Sequence, residues 1–194
     1  MIARDLDRQQ LVRDFIGMLG ENPNREGLKD TPARMVKAWD FWTSGYDLDP
    51  GSVLKTFEDG AQGYDELVFQ GNIPLYSHCE HHLAPFFGVA HIGYVPKGKI
   101  VGLSKLSRLV DVFAHRLQVQ ERLTCEISEA MMKHLAPAGV GVVLRCRHLC
   151  MESRGVQKAG TITYTSSLLG VFREDQAART EFLSFVERAD GRSQ

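Results

Sequence analysis

Apolar residues recur along this chain with two different periods, and the change of period divides it. Between residues 5 and 20, Leu6, Leu11, Phe15, Met18 and Leu19 fall roughly on one face of a helix. The stretch 21–29, with Asn, Pro and Gly, reads as a loop. Asp30-Thr31-Pro32 is a helix start, with Asp30 or Thr31 as cap and proline in a tolerated first-turn position. That second helix carries Met35, Trp39 and Trp42 and stops at Ser44-Gly45, before a turn-rich segment that runs to about residue 64. Residues 1–63 are therefore expected to form an N-terminal helical hairpin and its linker, and residues 64–194 the main domain.

The period then shortens. Residues 65–77 and 86–96 are short runs of β-branched and aromatic residues bounded by turns, as strands are. Helical spacing returns over 104–135, through Leu106, Leu109, Val110 and Phe113, then Leu123, Ile127, Ala130 and Met131. Leu117-Gln118-Val119-Gln120 fits this stripe poorly, so a break is expected there; Pro137 and Gly139 end the segment. Val140, Val142, Leu144, Cys146, His148 and Cys150 share one parity, which puts them on one face of a strand over 140–150. A further strand is predicted over 161–172, with Thr161, Thr163 and Thr165 on one face, and a terminal helix over 173–188. Strand pair, long helices, strand pair is the order of an α+β fold with antiparallel strands.

Charge narrows the function classes. A net charge of −1 over 194 residues gives no basic field for nucleic acid or a membrane surface. No apolar run approaches the ~18–20 residues that span a bilayer. The charged start MIARDLDRQQ lacks the apolar core of a secretory signal, so the chain is expected to be cytoplasmic, with its four cysteines reduced.

Reduced thiols of this kind serve as metal ligands, nucleophiles or small buried hydrophobes. Cys79-Glu80-His81-His82 has a Cys-x-x-His spacing that lets a thiolate and an imidazole reach one ion across a tight turn. Cys150, beside His148, is the best third ligand; Cys146 is a rival, but its place in an apolar run suits packing. Three protein ligands leave a fourth tetrahedral position open, as catalytic zinc requires. Cys125, near Leu123 and Ile127, is expected in the core. Arg34 with Lys37, and Lys105 with Arg108, are basic pairs three apart on helices, and Arg154 and Lys158 follow the Cys150 strand; together they suit a polyphosphate. Glu121 beside Gln120 suits guanine: a carboxylate accepts from both N1–H and the exocyclic amine, and an amide can read the remaining edge.

These residues sit in longer motifs. Cys79-Glu80-His81-His82-Leu83-Ala84-Pro85-Phe86 followed by His91-Ile92-Gly93-Tyr94-Val95-Pro96 resembles the zinc-loop segment of the GTP cyclohydrolase I family. Gly102-Leu103-Ser104-Lys105-Leu106 and Leu117-Gln118-Val119-Gln120-Glu121-Arg122-Leu123-Thr124 resemble its two helix signatures, and His148-Leu149-Cys150-Met151 with Arg154-Gly155-Val156 resembles its third. The similarity runs from about Glu26 to Phe185 in the family's order. It implies a tunnelling fold, in which the sheets of five subunits join into a barrel and two rings stack as a homodecamer. It implies active sites between subunits, with zinc held by Cys79, His82 and Cys150; guanine anchored by Glu121 with help from Gln120; and a triphosphate held by Arg34, Lys37, Lys105, Arg108 and Arg154, some from a neighbouring subunit. It also implies that Ser104 assists the ribose step while His81 and His148 move protons. The reaction implied is hydrolytic opening of the guanine imidazole ring of GTP, loss of formate and rearrangement to 7,8-dihydroneopterin triphosphate. The Cys/His/Cys set argues against related pterin enzymes that use three histidines. Met151-Glu152-Ser153 departs from the apolar residues of many relatives, and an inward Glu152 would weaken GTP binding.

Overall fold

The computed structural model describes residues 2–191, with side chains from Asp5 onward. Contacts divide the chain after Ser44 into two units. In the first, α1 (Ile2–Met18) packs against α2 (Thr31–Trp42), the hairpin that the two apolar stripes predict. Asp30 takes the N-cap position of α2 without making a side-chain cap bond; its carboxylate pairs with Arg34 one turn on. The predicted stripe on α1 is not covered within the chain: Leu6, Leu11, Phe15, Met18 and Leu19 are all exposed, while Ile16 is buried.

The second unit runs through α3 (Pro50–Val53), β1 (Thr56–Phe57), β2 (Val68–Cys79), β3 (Pro85–Val95), β4 (Ile100–Val101), α4 (Leu103–Ala114), β5 (Leu117–Gln118), α5 (Gln120–Leu135), β6 (Gly139–His148), α6 (Leu149–Glu152), β7 (Thr163–Gly170), α7 (Val171–Glu174) and α8 (Gln176–Gly191). Five strands form one sheet in the order β5-β2-β3-β6-β7, antiparallel except where β5 lies beside the end of β2. The expected break in the long helical region is β5 itself. Its pairing of His78 with Leu117 and Cys79 with Gln118 brings the start of α5 to the Cys79 end of β2.

Apolar faces of α4 and α5 cover one side of the sheet, where Leu106, Leu109, Leu123, Ile127 and Met131 meet Leu75, Ile92, Val142 and Leu144. Each such side chain, fully buried, contributes about 1.5–3 kcal/mol. Phe172, Phe182 and Val186 of the terminal helices cover Val143 on the other side. Burial on both faces explains why β6 reads as an almost unbroken apolar run rather than a clean alternation. Gly93 and Gly141 are paired across β3 and β6 beneath the Phe182 ring, and a Cβ would lie 2.7 Å from that ring at Gly93 and 2.8 Å at Gly141.

Three expectations are corrected. The strand that begins at Gly139 stops at His148, so Cys150 does not continue its face. The backbone closes a helical turn instead, with Ser153 N–H and Oγ both donating to Leu149 O at 2.9 and 2.7 Å. The terminal helix is interrupted at Asp175, whose carboxylate accepts from Ala177 and Ala178 N–H and caps α8. Cys125 is exposed on α5. No helix among the described residues is long and apolar enough to cross a membrane.

His91, fully buried on β3, ties this sheet to the end of α8: Nδ1 accepts from Asn72 N–H at 3.4 Å, and Nε2 lies 3.3 Å from Asp190 Oδ1. Burial holds its pKa below the ordinary imidazole value, against the opposing pull of Asp190. Below the unfolded value of ~6.5 the unfolded chain then binds the proton that the folded chain refuses, so stability present above that pH is lost as pH falls toward the folded pKa. Burial lowers His78 and His148 in the same direction. The thermal midpoint is expected to fall on acidification below about pH 6.5, and His91→Gln to flatten part of that fall. Parallel pH curves for the two proteins would place the acid sensitivity elsewhere.

Candidate metal and substrate site

The sheet register brings distant parts of the sequence to one end of the fold. Cys79 is the last residue of β2, and the hairpin after it is closed by Cys79 N–H donating to Ala84 O and Leu83 N–H donating to Cys79 O, both at 2.8 Å. Leu83 adopts a left-handed backbone, φ +53°, to make the turn. On the other side of β3, Phe86 pairs with His148, and α6 begins immediately after, carrying Cys150. Ligand atoms of Cys79, His82 and Cys150 consequently lie within 4.8 Å of one another. Cys79 Sγ is 3.9 Å from His82 Nδ1, close to the ~3.5 Å edge of a tetrahedron with zinc–sulfur and zinc–nitrogen bonds of about 2.3 and 2.0 Å. Two thiols and an imidazole at this separation can hold a soft or borderline metal ion and leave a coordination position open. Burial and the neighbouring Cys79 push the Cys150 thiol up, so metal uptake there must displace its proton. Cys146 is outside the group; it is buried, and burial pushes its thiol up to about 12.

His81 is exposed on the hairpin, its Nδ1 3.8 Å from Cys79 Sγ. His148 is half-buried at the end of β6, stacked on the Phe86 ring with centroids 4.7 Å apart and planes 9° apart. Its Nε2 is 2.7 Å from Gln120 Oε1. Burial lowers its pKa, and Glu121 opposes that shift, so Glu121 stands within electrostatic reach of His148. Glu121 itself is exposed in the first turn of α5, where the helix dipole favours a carboxylate. Gln120, beside it, is buried.

Ser104 and Lys105 lie in the first turn of α4, with Arg108 one turn further. Gly102 caps this helix without a side-chain bond. Desolvation first, then repulsion from Arg108 and Lys55, lowers the Lys105 pKa. Lys55 thus joins the pair predicted from sequence; it sits in the turn-rich segment, where no periodic partner marks it. Arg154 Nη1 stands 3.2 Å from His82 Nε2, which puts this cation against the metal group. Arg34 and Lys37 are exposed on α2 in the first unit. Glu152 turns to Arg147 in a two-bond pair of 2.9 and 2.6 Å, which neutralises the charge that its position had brought into question.

A second network missed by sequence reading supports the hairpin. Arg122 Nε donates to Gln118 Oε1 at 2.9 Å, Nη2 donates to Leu117 O at 3.2 Å, and the same guanidinium pairs with Glu80. Glu80 N–H also donates to Gln118 O. The residue after Cys79 is therefore tied to both β5 and α5. A cleft of about 620 Å³ between β6, β7 and α8, lined by Arg145, Tyr164 and Asp190, lies elsewhere and contains none of the metal or substrate candidates.

Comparison with known proteins shows the family. The family described as GTP cyclohydrolase I matches residues 8–187. A protein of Janthinobacterium sp. named GTP cyclohydrolase 1 is 60% identical over 178 residues, covering 92% of this chain and 90% of that protein. Proteins of the same name from Nitrosospira multiformis and Leptospira biflexa are 58% and 49% identical, covering 93% and 92% of this chain and 93% and 97% of their own.

Proposed function

The chain belongs to the GTP cyclohydrolase I family, and on that premise we infer that it opens the imidazole ring of guanine in GTP by hydrolysis, releases C8 as formate and rearranges the remainder to 7,8-dihydroneopterin triphosphate. Two waters are consumed, one in opening the ring and one in releasing formate, and one water returns when the opened ribose closes onto the amine. The observation that carries this reading is the gathering of Cys79, His82 and Cys150 at the sheet end where His148 and the start of α5 also meet.

Cys79, His82 and Cys150 would hold a zinc ion. Bound there, it would supply a Lewis acid able to lower the pKa of water toward ~7. The chain's own residues do the rest. Glu121 accepts from N1–H and the exocyclic amine of guanine and so orients the base. Lys105, Arg108 and Arg154 bind the triphosphate, some of them from a neighbouring copy, and Lys55 is close enough to Lys105 to share in it. His148 and His81 exchange protons with the opening imidazole ring, as general acids and bases do. Ser104 acts at the ribose.

Assembly belongs to the same reading. The long outer edges of the sheet are β7 and the part of β2 that β5 does not reach, whereas β6 lies inside. Edges of this length are ordinarily paired or covered, and the exposed stripe of α1 adds apolar surface. We propose a ring in which sheets of neighbouring copies join, stacked as a homodecamer. Light scattering is expected to give about ten times the 21.7 kDa chain mass; a stable, active monomer would exclude the ring.

The activity is tested by incubating the zinc-loaded protein with GTP. Formate and, after the quenched reaction is oxidised with iodine, a fluorescent pterin should appear in equal amounts. GTP turnover without either product would overturn the assignment.

A further inference from the structure

Gln120 lies next to the residue assigned to guanine, but its own side chain is fully engaged inside the protein. It is 2% exposed. Its Nε2 donates to Thr163 O and Thr165 Oγ1, both at 3.0 Å, and faces Leu144 O at 3.3 Å. Carbonyl oxygens only accept, so the amide nitrogen must face them; turning the amide over would set oxygen against two carbonyls and leave buried groups unpaired. Thr165 is held in place in turn, 2.6 Å from Thr124 Oγ1, which donates to Gln120 O at 2.7 Å.

With the amide fixed, Oε1 is the atom that meets His148 Nε2 at 2.7 Å. An amide oxygen has no proton to give. The hydrogen in that contact therefore belongs to Nε2, whichever form the ring takes, and Nδ1 is the nitrogen left to exchange a proton. Phe86, stacked at 4.7 Å, fixes the plane of the ring, and Gln120 fixes its rotation within that plane.

We propose that Gln120 is a positioning residue for His148 and not a reader of the guanine edge: it selects the Nε2–H tautomer and leaves Nδ1 as the proton-exchanging atom. This rests on the reading of His148 as a proton carrier. Nearly complete burial, with both N–H groups directed to acceptors inside the protein and Oε1 to His148, leaves the amide no edge to offer a base.

The test uses the zinc-loaded protein with Gln120→Met, His148→Ala and the double variant, each checked for zinc content and thermal midpoint. Gln120→Met should lower kcat about 100-fold, the scale of one misdirected acid–base group, with KM for GTP changed less than about 3-fold. In the His148→Ala background the same substitution should change kcat by less than about 3-fold, because residues acting through one another do not add. Should Gln120→Met fail to fold, nitrogen NMR shifts of His148 in the parent protein give the test: a protonated Nε2 beside a bare Nδ1 is expected, and the opposite tautomer would overturn the proposal. A KM rise of 10-fold or more in Gln120→Met would make Gln120 a base contact and overturn the proposal. So would losses that multiply in the double variant. An unchanged kcat in His148→Ala alone would remove the proton-carrier reading, and this role of Gln120 with it.

Discussion

Replacing Cys150 by serine is expected to cost the protein its metal and its activity together. The three candidate ligands come from β2, its hairpin and α6, and the nearest thiol in sequence, Cys146, is a poor replacement for Cys150: it is buried, and burial pushes its thiol up to about 12. A serine hydroxyl is a poor ligand for zinc, which favours thiolate and imidazole. Zinc per chain should fall from about one to a small fraction after dialysis, and GTP turnover by at least ~10³-fold, since activated water and charge stabilisation go with the metal. Cys150 is half-buried in a single-turn helix and touches only the margin of the core, and serine is close to it in size, so the thermal midpoint measured without metal should stay close to that of the metal-free parent. Full zinc retention in Cys150→Ser would remove Cys150 from the ligand set.

Glu121→Gln should be nearly as damaging for a different reason. Two carboxylate oxygens can accept from two adjacent donors on guanine; the amide keeps the shape but replaces one acceptor with a donor, which then faces a donor. A mismatched polar pair in a closed site costs several kcal/mol, so kcat/KM for GTP is expected to fall at least ~100-fold. The effect on folding should be small. Glu121 is exposed in the first turn of α5, and losing its charge near a helix N-terminus costs about 0.3–1 kcal/mol. Zinc content and oligomer size should be those of the parent. ATP, which lacks both donors, should be a negligible substrate for the parent protein. Near-parental turnover of GTP by Glu121→Gln would place guanine recognition on other groups.

Local pattern was enough for much of this protein. The β-branched and aromatic runs of residues 65–77 and 86–96 and the helical spacing of 104–135 each depend on neighbours a few positions apart, and those elements appear close to where these local signals put them. The poor fit of Leu117–Gln118 to a helical stripe was legible for the same reason, and it became β5. So were the residues of the metal group: thiol and imidazole chemistry is intrinsic to the side chains, and Cys-x-x-His is a local spacing.

Other features depend on strand register and on what packs above the sheet. Parity carried Cys150 onto the face of β6, yet the chain turns at His148 into α6, and it is the pairing of Phe86 with His148 that sets Cys150 beside Cys79. Gln120 reads as an ordinary helix residue until β6 and β7 supply Leu144 O, Thr163 O and Thr165 Oγ1 around its amide. Cys125 has apolar neighbours at helical spacing but lies on the open side of α5, while Lys55 stands near Lys105 only because the chain folds back on itself. Such contacts join residues far apart in sequence, and a periodic signal, which compares a residue only with its near neighbours, carries no information about them.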